Sequence, residues 1–205
     1  MRGSRLHEAS EELASRSPAL ARLRAVHGPC RLGNRPLASE RFASLGRAIV
    51  HQQLAGAAAA AIWQRVLTAL DGDCTASRVL GAGRETLRAA GLSAAKAAAL
   101  EDLAERDLAG GLGLAGLGRL GDEEVVARLV QVRGIGPWTA QMFLIFTLHR
   151  LDVWPTGDLG VRKGYASAFG LEDLPAPAAL EGAGEAFRPY RTVAAWYCWR
   201  ACEGA

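Results

Sequence analysis

Two stretches of this 205-residue sequence hold residue types and spacings that could do chemistry. The first is Arg133-Gly134-Ile135-Gly136-Pro137, set between an acidic helix start at Asp122-Glu123-Glu124 and an apolar run opening at Trp138-Thr139. The pattern is helix, tight hairpin, helix over residues 122–148. The glycines let the backbone turn without a Cβ penalty, Ile135 can pin the hairpin to a core, and Pro137 presets the first turn of the second helix. Backbone N–H groups at such a helix start suit a phosphate. Main-chain donors grip a nucleic-acid backbone and leave base sequence unread; an ordinary αα-hairpin is the competing explanation. The second stretch is Leu151-Asp152-Val153-Trp154-Pro155-Thr156-Gly157-Asp158, which delivers Asp158 to the start of a helical run over 159–169. An acid there is an N-cap, where the helix dipole and the cap hydrogen bonds suit a carboxylate. Capping alone accounts for it, unless the hairpin and the aspartate belong to one site.

Other chemistry finds little footing. Four cysteines (Cys30, Cys74, Cys198, Cys202) are irregularly spaced and read as buried free thiols rather than metal ligands or disulfides. Asp71-Gly72-Asp73 reads as a turn, without the regular oxygen series of a cation loop. The stretch 110–121 carries six glycines but lacks the Lys-Ser/Thr ending of a phosphate loop, and reads as a buried connection.

The elements that must position these residues are helices. The sequence holds 40 alanines and 24 glycines against 13 aromatics, and Ala is paired throughout with Leu, Arg and Glu. That composition favours short packed helices, so an all-α fold of nine or ten helices is expected. Half of the residues are hydrophobic, enough for a real core. Helices are expected at 6–14, at 18–26 behind the Ser17-Pro18 cap, from a Ser39 cap to about 54–56, and at 57–70, 84–90, 94–109 and 159–169. Apolar runs are too short to span a membrane, and residues 1–18 lack the apolar stretch of a signal peptide. A bacterial cytoplasmic protein with no membrane partner is expected. A net charge of +3 permits nucleic acid without arguing for it. Only Lys96 and Lys163 are lysines among 24 basic residues.

Hairpin and aspartate together resemble the helix-hairpin-helix (HhH-GPD) DNA glycosylases, and the surrounding residues are similar to the alkylpurine branch, 3-methyladenine DNA glycosylase II. The resemblance rests on Ile49-Val50-His51-Gln52-Gln53, Gly91-Leu92-Ser93-x-x-Lys96, Val132-Arg133-Gly134-Ile135-Gly136-Pro137-Trp138-Thr139-Ala140, Val153-Trp154-Pro155-x-x-Asp158 and Arg188-Pro189-Tyr190-Arg191-x-x-Ala194-x-Trp196-x-x-Trp199. It implies one unit over 1–205 made of two helical lobes flanking a cleft. Lobe one would be residues 1–38 with 151–205, lobe two residues 39–150, and no N-terminal β domain would be present.

By the same resemblance Asp158 is the catalytic carboxylate and Trp138 and Trp199 are walls of the base pocket, which Trp154 and Tyr190 complete unless they pack in the core beside Pro155 and Pro189. Gln52, Gln53, Arg133, Gly134, Ile135, Gly136 and Thr139 would bind DNA. The turn after Val50 is where the family places its intercalating wedge; Gln53 is the candidate by position, with Gln52 and Leu54 as alternatives. Trp63 and Trp196 are assigned to core, and His51 to packing or phosphate rather than catalysis. Relatives that cleave the DNA strand carry a lysine nucleophile where Trp138 stands here, which implies a monofunctional enzyme. No iron–sulfur cluster is expected from two C-terminal cysteines, and no cofactor is required. Carbonyls of Val130, Val132 and Ile135 match those that hold a structural Na+ or K+ in relatives.

The implied substrate is double-stranded DNA bearing an alkylated purine of the 3-methyladenine or 7-methylguanine type, met by a monomer and left as an abasic site. Such a base is cationic, so stacking on indole adds roughly 0.5 to 2 kcal/mol. The positive charge also makes it a good leaving group, which would explain why no obvious general acid accompanies Asp158. The alternatives are the same fold acting on uracil, hypoxanthine or ethenoadenine, and a DNA-binding hairpin module without catalysis.

Overall fold

The computed structural model describes residues 2–54 and 56–203, and among them there are eleven α-helices, three short 3-10 turns and no strand. The helices are α1 (Arg2–Arg16), α2 (Pro18–His27), α3 (Arg41–His51), α4 (Gly56–Ala69), α5 (Ala76–Ala89), α6 (Ala94–Leu108), α7 (Asp122–Leu129), α8 (Pro137–Phe146), α9 (Leu159–Phe169), α10 (Pro177–Ala183) and α11 (Arg191–Glu203). None is long and apolar enough to cross a membrane.

The chain divides into two compact units, Met1–Asn34 with His149–Ala205, and Arg35–Leu148. In the first, α11 is the hub, packed on α9, α2 and α1. Seven consecutive residues from Thr192 to Cys198 are buried, so this helix shows no polar face and no amphipathic period. In the second unit α3 is central, in contact with α4, α6 and α8, while α5 packs on α6 and α7 on α8. Trp63 and Trp196 are both core residues, each 8% exposed.

Several boundaries differ from the expected ones for identifiable reasons. Ser39 does not cap α3: it lies in a 3-10 turn, Ala38–Glu40, whose start is satisfied by the Glu40 carboxylate accepting the Leu37 N–H at 2.6 Å. Helix α3 stops at His51 rather than near residue 55, because Gln53 adopts a left-handed φ of 56°; Ala55 itself lies outside the described residues. Helix α5 begins eight residues earlier than expected, at Ala76 behind the Thr75 cap, and runs through a kink at Gly83 (φ 73°), the residue just before the expected start at 84. The glycine-rich stretch folds as a 3-10 turn, Leu114–Arg119, whose Leu114 and Leu117 are buried. Arg41, itself buried, holds it by donating from Nη1 to the carbonyls of Leu114 at 2.8 Å and Ala115 at 2.7 Å.

All four cysteines are free, and Cys30, Cys74 and Cys198 are buried. Burial pushes the thiols of Cys30 and Cys74 up to about 12, and that of Cys198 upward as well. Among the described residues no group of three His, Cys, Asp or Glu side chains could hold a metal ion.

Candidate active site

In the first unit the loop that carries Asp158 is fastened to the start of α11. Thr192, fully buried, donates its N–H to the Leu151 carbonyl at 3.0 Å. Its hydroxyl accepts from the Val153 N–H at 3.0 Å and donates to the Arg150 carbonyl at 2.8 Å. Beside it the Arg191 guanidinium grips the Asp152 carboxylate through Nε–Oδ1 at 2.8 Å and Nη2–Oδ2 at 3.0 Å, a bidentate pair that fixes direction as well as distance. Two tight turns follow, with the Thr156 N–H on the Trp154 carbonyl and the Asp158 N–H on the Pro155 carbonyl, both at 3.0 Å.

Asp158 then caps α9. Its Oδ1 accepts the Val161 N–H at 2.8 Å and, from α11, the Trp199 indole Nε1–H at 2.9 Å. One carboxylate oxygen thus takes two donors, which sets the plane of the group. The indole reaches it because α9 carries glycine at 160 and 164. A Cβ on Gly164 would lie 1.7 Å from the Cys198 carbonyl oxygen, and one on Gly160 would lie 2.9 Å from Trp199 Cδ1 and 3.1 Å from Asp158 Oδ1. The two glycines lie four apart on one helical face; Gly164 lets backbone meet backbone, and Gly160 makes room for the indole.

In the second unit α7 runs from Asp122-Glu123-Glu124 in its first turn to Arg128 in its last, charges that suit the helix dipole at each end. The hairpin continues through the Val132 N–H on Leu129 O (3.1 Å) and the Ile135 N–H on Val132 O (3.0 Å). Gly134 turns the chain at φ 77°, and Ile135, 3% exposed, anchors it in the core. Asp102 on α6 accepts the Arg133 N–H at 2.7 Å on the oxygen that also receives Arg106 Nε at 2.9 Å. Gly136 begins α8 with no side-chain cap, Pro137 follows, and Trp138 is 43% exposed. The Arg133 side chain is exposed beside this turn.

The end of α3 abuts the hairpin. Gln52 donates from Nε2 to the Gly134 carbonyl at 2.9 Å and to Thr139 Oγ1 at 3.0 Å. Lys96 donates from Nζ to the carbonyls of Val50 and Gln52, both at 2.7 Å, and burial holds its ammonium below the ordinary lysine range. Gln53, next in the chain, is exposed. The His51 imidazole is held below its usual range by burial first and then by the charges of Arg47 and Lys96; its Nε2 is buried without a hydrogen-bond partner.

The positions of four expected site residues bear on their roles, and Trp154 is the one that they correct. Trp154 is 7% exposed, donates its indole N–H to the Leu180 carbonyl at 2.8 Å and packs edge-on against Tyr165 and Phe187; it is core, not pocket wall. Tyr190 turns its hydroxyl to Glu12 of α1, and burial and that carboxylate raise it above the usual phenol range. Gln52 spends its amide on the hairpin and cannot serve as a wedge. Thr139 is 3% exposed with its hydroxyl turned to Gln52, leaving only its backbone for a ligand. Missed in sequence were Asp102, Thr192 and the Gly160/Gly164 pair; of these only the glycine spacing left a readable signal. Lys163 lies exposed on α9.

Comparison with known proteins gives these arrangements a context. A model of the HhH-GPD superfamily of base excision DNA repair proteins matches residues 47–189. The chain is 37% identical over 164 residues to DNA-3-methyladenine glycosylase 1 of Schizosaccharomyces pombe, covering 78% of this chain and 72% of that one. Among solved structures it is similar to the Schizosaccharomyces pombe 3-methyladenine DNA glycosylase in complex with abasic DNA (TM-score 0.84, 35% identity, 94% of this chain and 95% of that one). It is also similar to a DNA-3-methyladenine glycosidase of Bacillus halodurans (TM-score 0.82, 32% identity, 93% and 87%). With its hairpin, its capping aspartate and a family match over most of its length, the chain belongs to the HhH-GPD superfamily of base excision DNA repair proteins.

Proposed function

We propose that this protein is a monofunctional DNA glycosylase that removes alkylated purines of the 3-methyladenine and 7-methylguanine type from duplex DNA, acting as a monomer and leaving an abasic site. The observation that carries the reading is the Asp158 carboxylate held in a set plane by the Val161 N–H and the Trp199 indole. Breaking the bond between C1′ and the purine nitrogen sends the electron pair to the base, which leaves neutral if it was alkylated and cationic. Positive charge develops on the sugar, where a fixed carboxylate stabilises it and orients the water that attacks C1′ and gives its proton to that carboxylate. Trp199 belongs to this centre twice over, as the donor that orients Asp158 and as an indole face for a cationic purine.

The hairpin in the second unit offers its backbone to a phosphate, and Gln53, exposed and turned outward by its left-handed backbone, is the wedge for the gap left by the extruded nucleotide. The carbonyls of Val130, Val132 and Ile135 are the hairpin's candidate ligands for a monovalent cation. Val132 O keeps a lone pair beyond the one accepting the Ile135 N–H, so the turn is chemically suited to it. A bound Na+ or K+ would supply positive charge toward a phosphate. Trp138 stands where strand-cleaving relatives carry lysine, so sodium borohydride should trap no enzyme–DNA adduct.

The test is to incubate the protein with methylated duplex DNA and separate released bases by chromatography, with Asp158→Asn alongside. Release of 3-methyladenine or 7-methylguanine by the wild type alone is expected. No release with DNA binding intact would leave a binding module in its place.

A further inference from the structure

We propose that Lys96 is a positioning residue for base extrusion, setting the turn that presents Gln53 by clamping the two carbonyls at the end of α3. The inference rests on the glycosylase reading above and on the placement of Gln53 as the wedge.

Helix α3 ends abruptly, and Gln53 sits in a left-handed conformation that a residue with a Cβ seldom adopts unless its surroundings impose it. The imposing groups come from two sides. From α6, Lys96 Nζ reaches Val50 O and Gln52 O at 2.7 Å each, fixing the peptide planes that lead into Gln53. From the hairpin side, the Gln52 amide is bound to Gly134 O and Thr139 Oγ1. The wedge turn and the phosphate-facing hairpin are therefore held at one distance from each other. A nucleotide whose phosphates rest on the hairpin then meets a side chain at a fixed height.

The choice of lysine supports the role. This chain uses arginine almost everywhere, and Lys96 is one of two lysines among 24 basic residues. A compact ammonium can sit between two neighbouring carbonyls, whereas a planar guanidinium is larger and spreads its donors in a fork. Lys96 is itself held, since α6 starts beside it with its N–H on Ser93 Oγ at 3.3 Å. An ordinary helix-end lysine would stay in solvent and leave the following residue free to move.

The experiment compares single-turnover excision of an alkylated purine from two duplexes, one with the matched pyrimidine opposite the lesion and one with an abasic analogue there. Extrusion is harder from the first, and the chemical step is shared. Lys96→Met is expected to slow excision from the matched duplex tenfold or more and from the duplex with the abasic analogue less than threefold. Lys96→Arg, which keeps the charge, should recover part of the matched-duplex rate. Thermal melting of each variant monitors folding; if Lys96→Met does not fold, a smaller loss with the same selectivity in Lys96→Arg carries the test. Equal losses on both duplexes, or no loss on either, would overturn the proposal. A wild type that excises from neither duplex would overturn the glycosylase reading first, and this inference with it.

Discussion

Trp199 donates its indole N–H to Oδ1 of Asp158 across 2.9 Å, joining α11 to the first turn of α9. On the proposed reading, this contact holds the reacting carboxylate in plane. Trp199→Phe keeps a ring and removes the donor. A hydrogen bond to a charged group is worth about 1.5 to 3 kcal/mol, so kcat is expected to fall roughly tenfold to a hundredfold. Single-turnover rates on methylated DNA measure it. A Trp199→Phe enzyme as fast as wild type would mean that the indole N–H does not orient Asp158.

Gly164 has no room for a methyl group, because the Cys198 carbonyl oxygen occupies its place. Gly164→Ala must push α11 off α9, and a loss of about 3 kcal/mol or more is expected from overpacking of this kind. Urea denaturation gives the number. Wild-type stability in this variant would show that the helices can separate at little cost.

Trp154 separates packing from pocket. Trp154→Phe removes the N–H bonded to Leu180 O and should lower stability by about 1 to 3 kcal/mol, with excision rates of the folded protein unchanged. Selective loss of activity on one lesion, with stability kept, would return the residue to the pocket.

The His51 imidazole supplies a pH dependence. Its folded pKa lies below the ordinary histidine value, with burial as the leading cause. Between the two values the unfolded chain binds more protons than the native one, so stability rises with pH through that window and the penalty is full below it. Denaturation midpoints taken from about pH 5 to pH 7 should climb in the wild type. The climb should flatten in His51→Gln, and an unchanged slope would place the titrating group elsewhere.

Much of this was legible in the sequence, and what was hidden has a common cause. The helix at 159–169 shows in its capping aspartate and its terminal glycine, both local signals. The hairpin shows in Gly134-Ile135-Gly136-Pro137 for the same reason. Helix α11 does not announce itself, because a helix buried on every side has no periodic face. The first half of α5 is hidden because Gly83 stands just before the expected start at 84, and a glycine that bends a helix and one that bounds it look alike in sequence. Within the candidate site, the grips of Asp102 on Arg133, Thr192 on Val153 and Lys96 on Val50 join residues 31 to 46 positions apart. Nothing local distinguishes those side chains from solvent-facing ones. Trp154 lies in the right motif and turns into the core, because side-chain direction is a property of packing.

The backbone contact between Gly164 and Cys198 has a consequence for how such an enzyme can diverge. No side chain separates the two helices at that point, so the spacing of Asp158 and Trp199 does not depend on side-chain volume there. Core residues elsewhere can drift in size while Asp158 and Trp199 stay in register. On the proposed reading, selection is then free to retune which lesions are accepted through positions that leave this pair untouched.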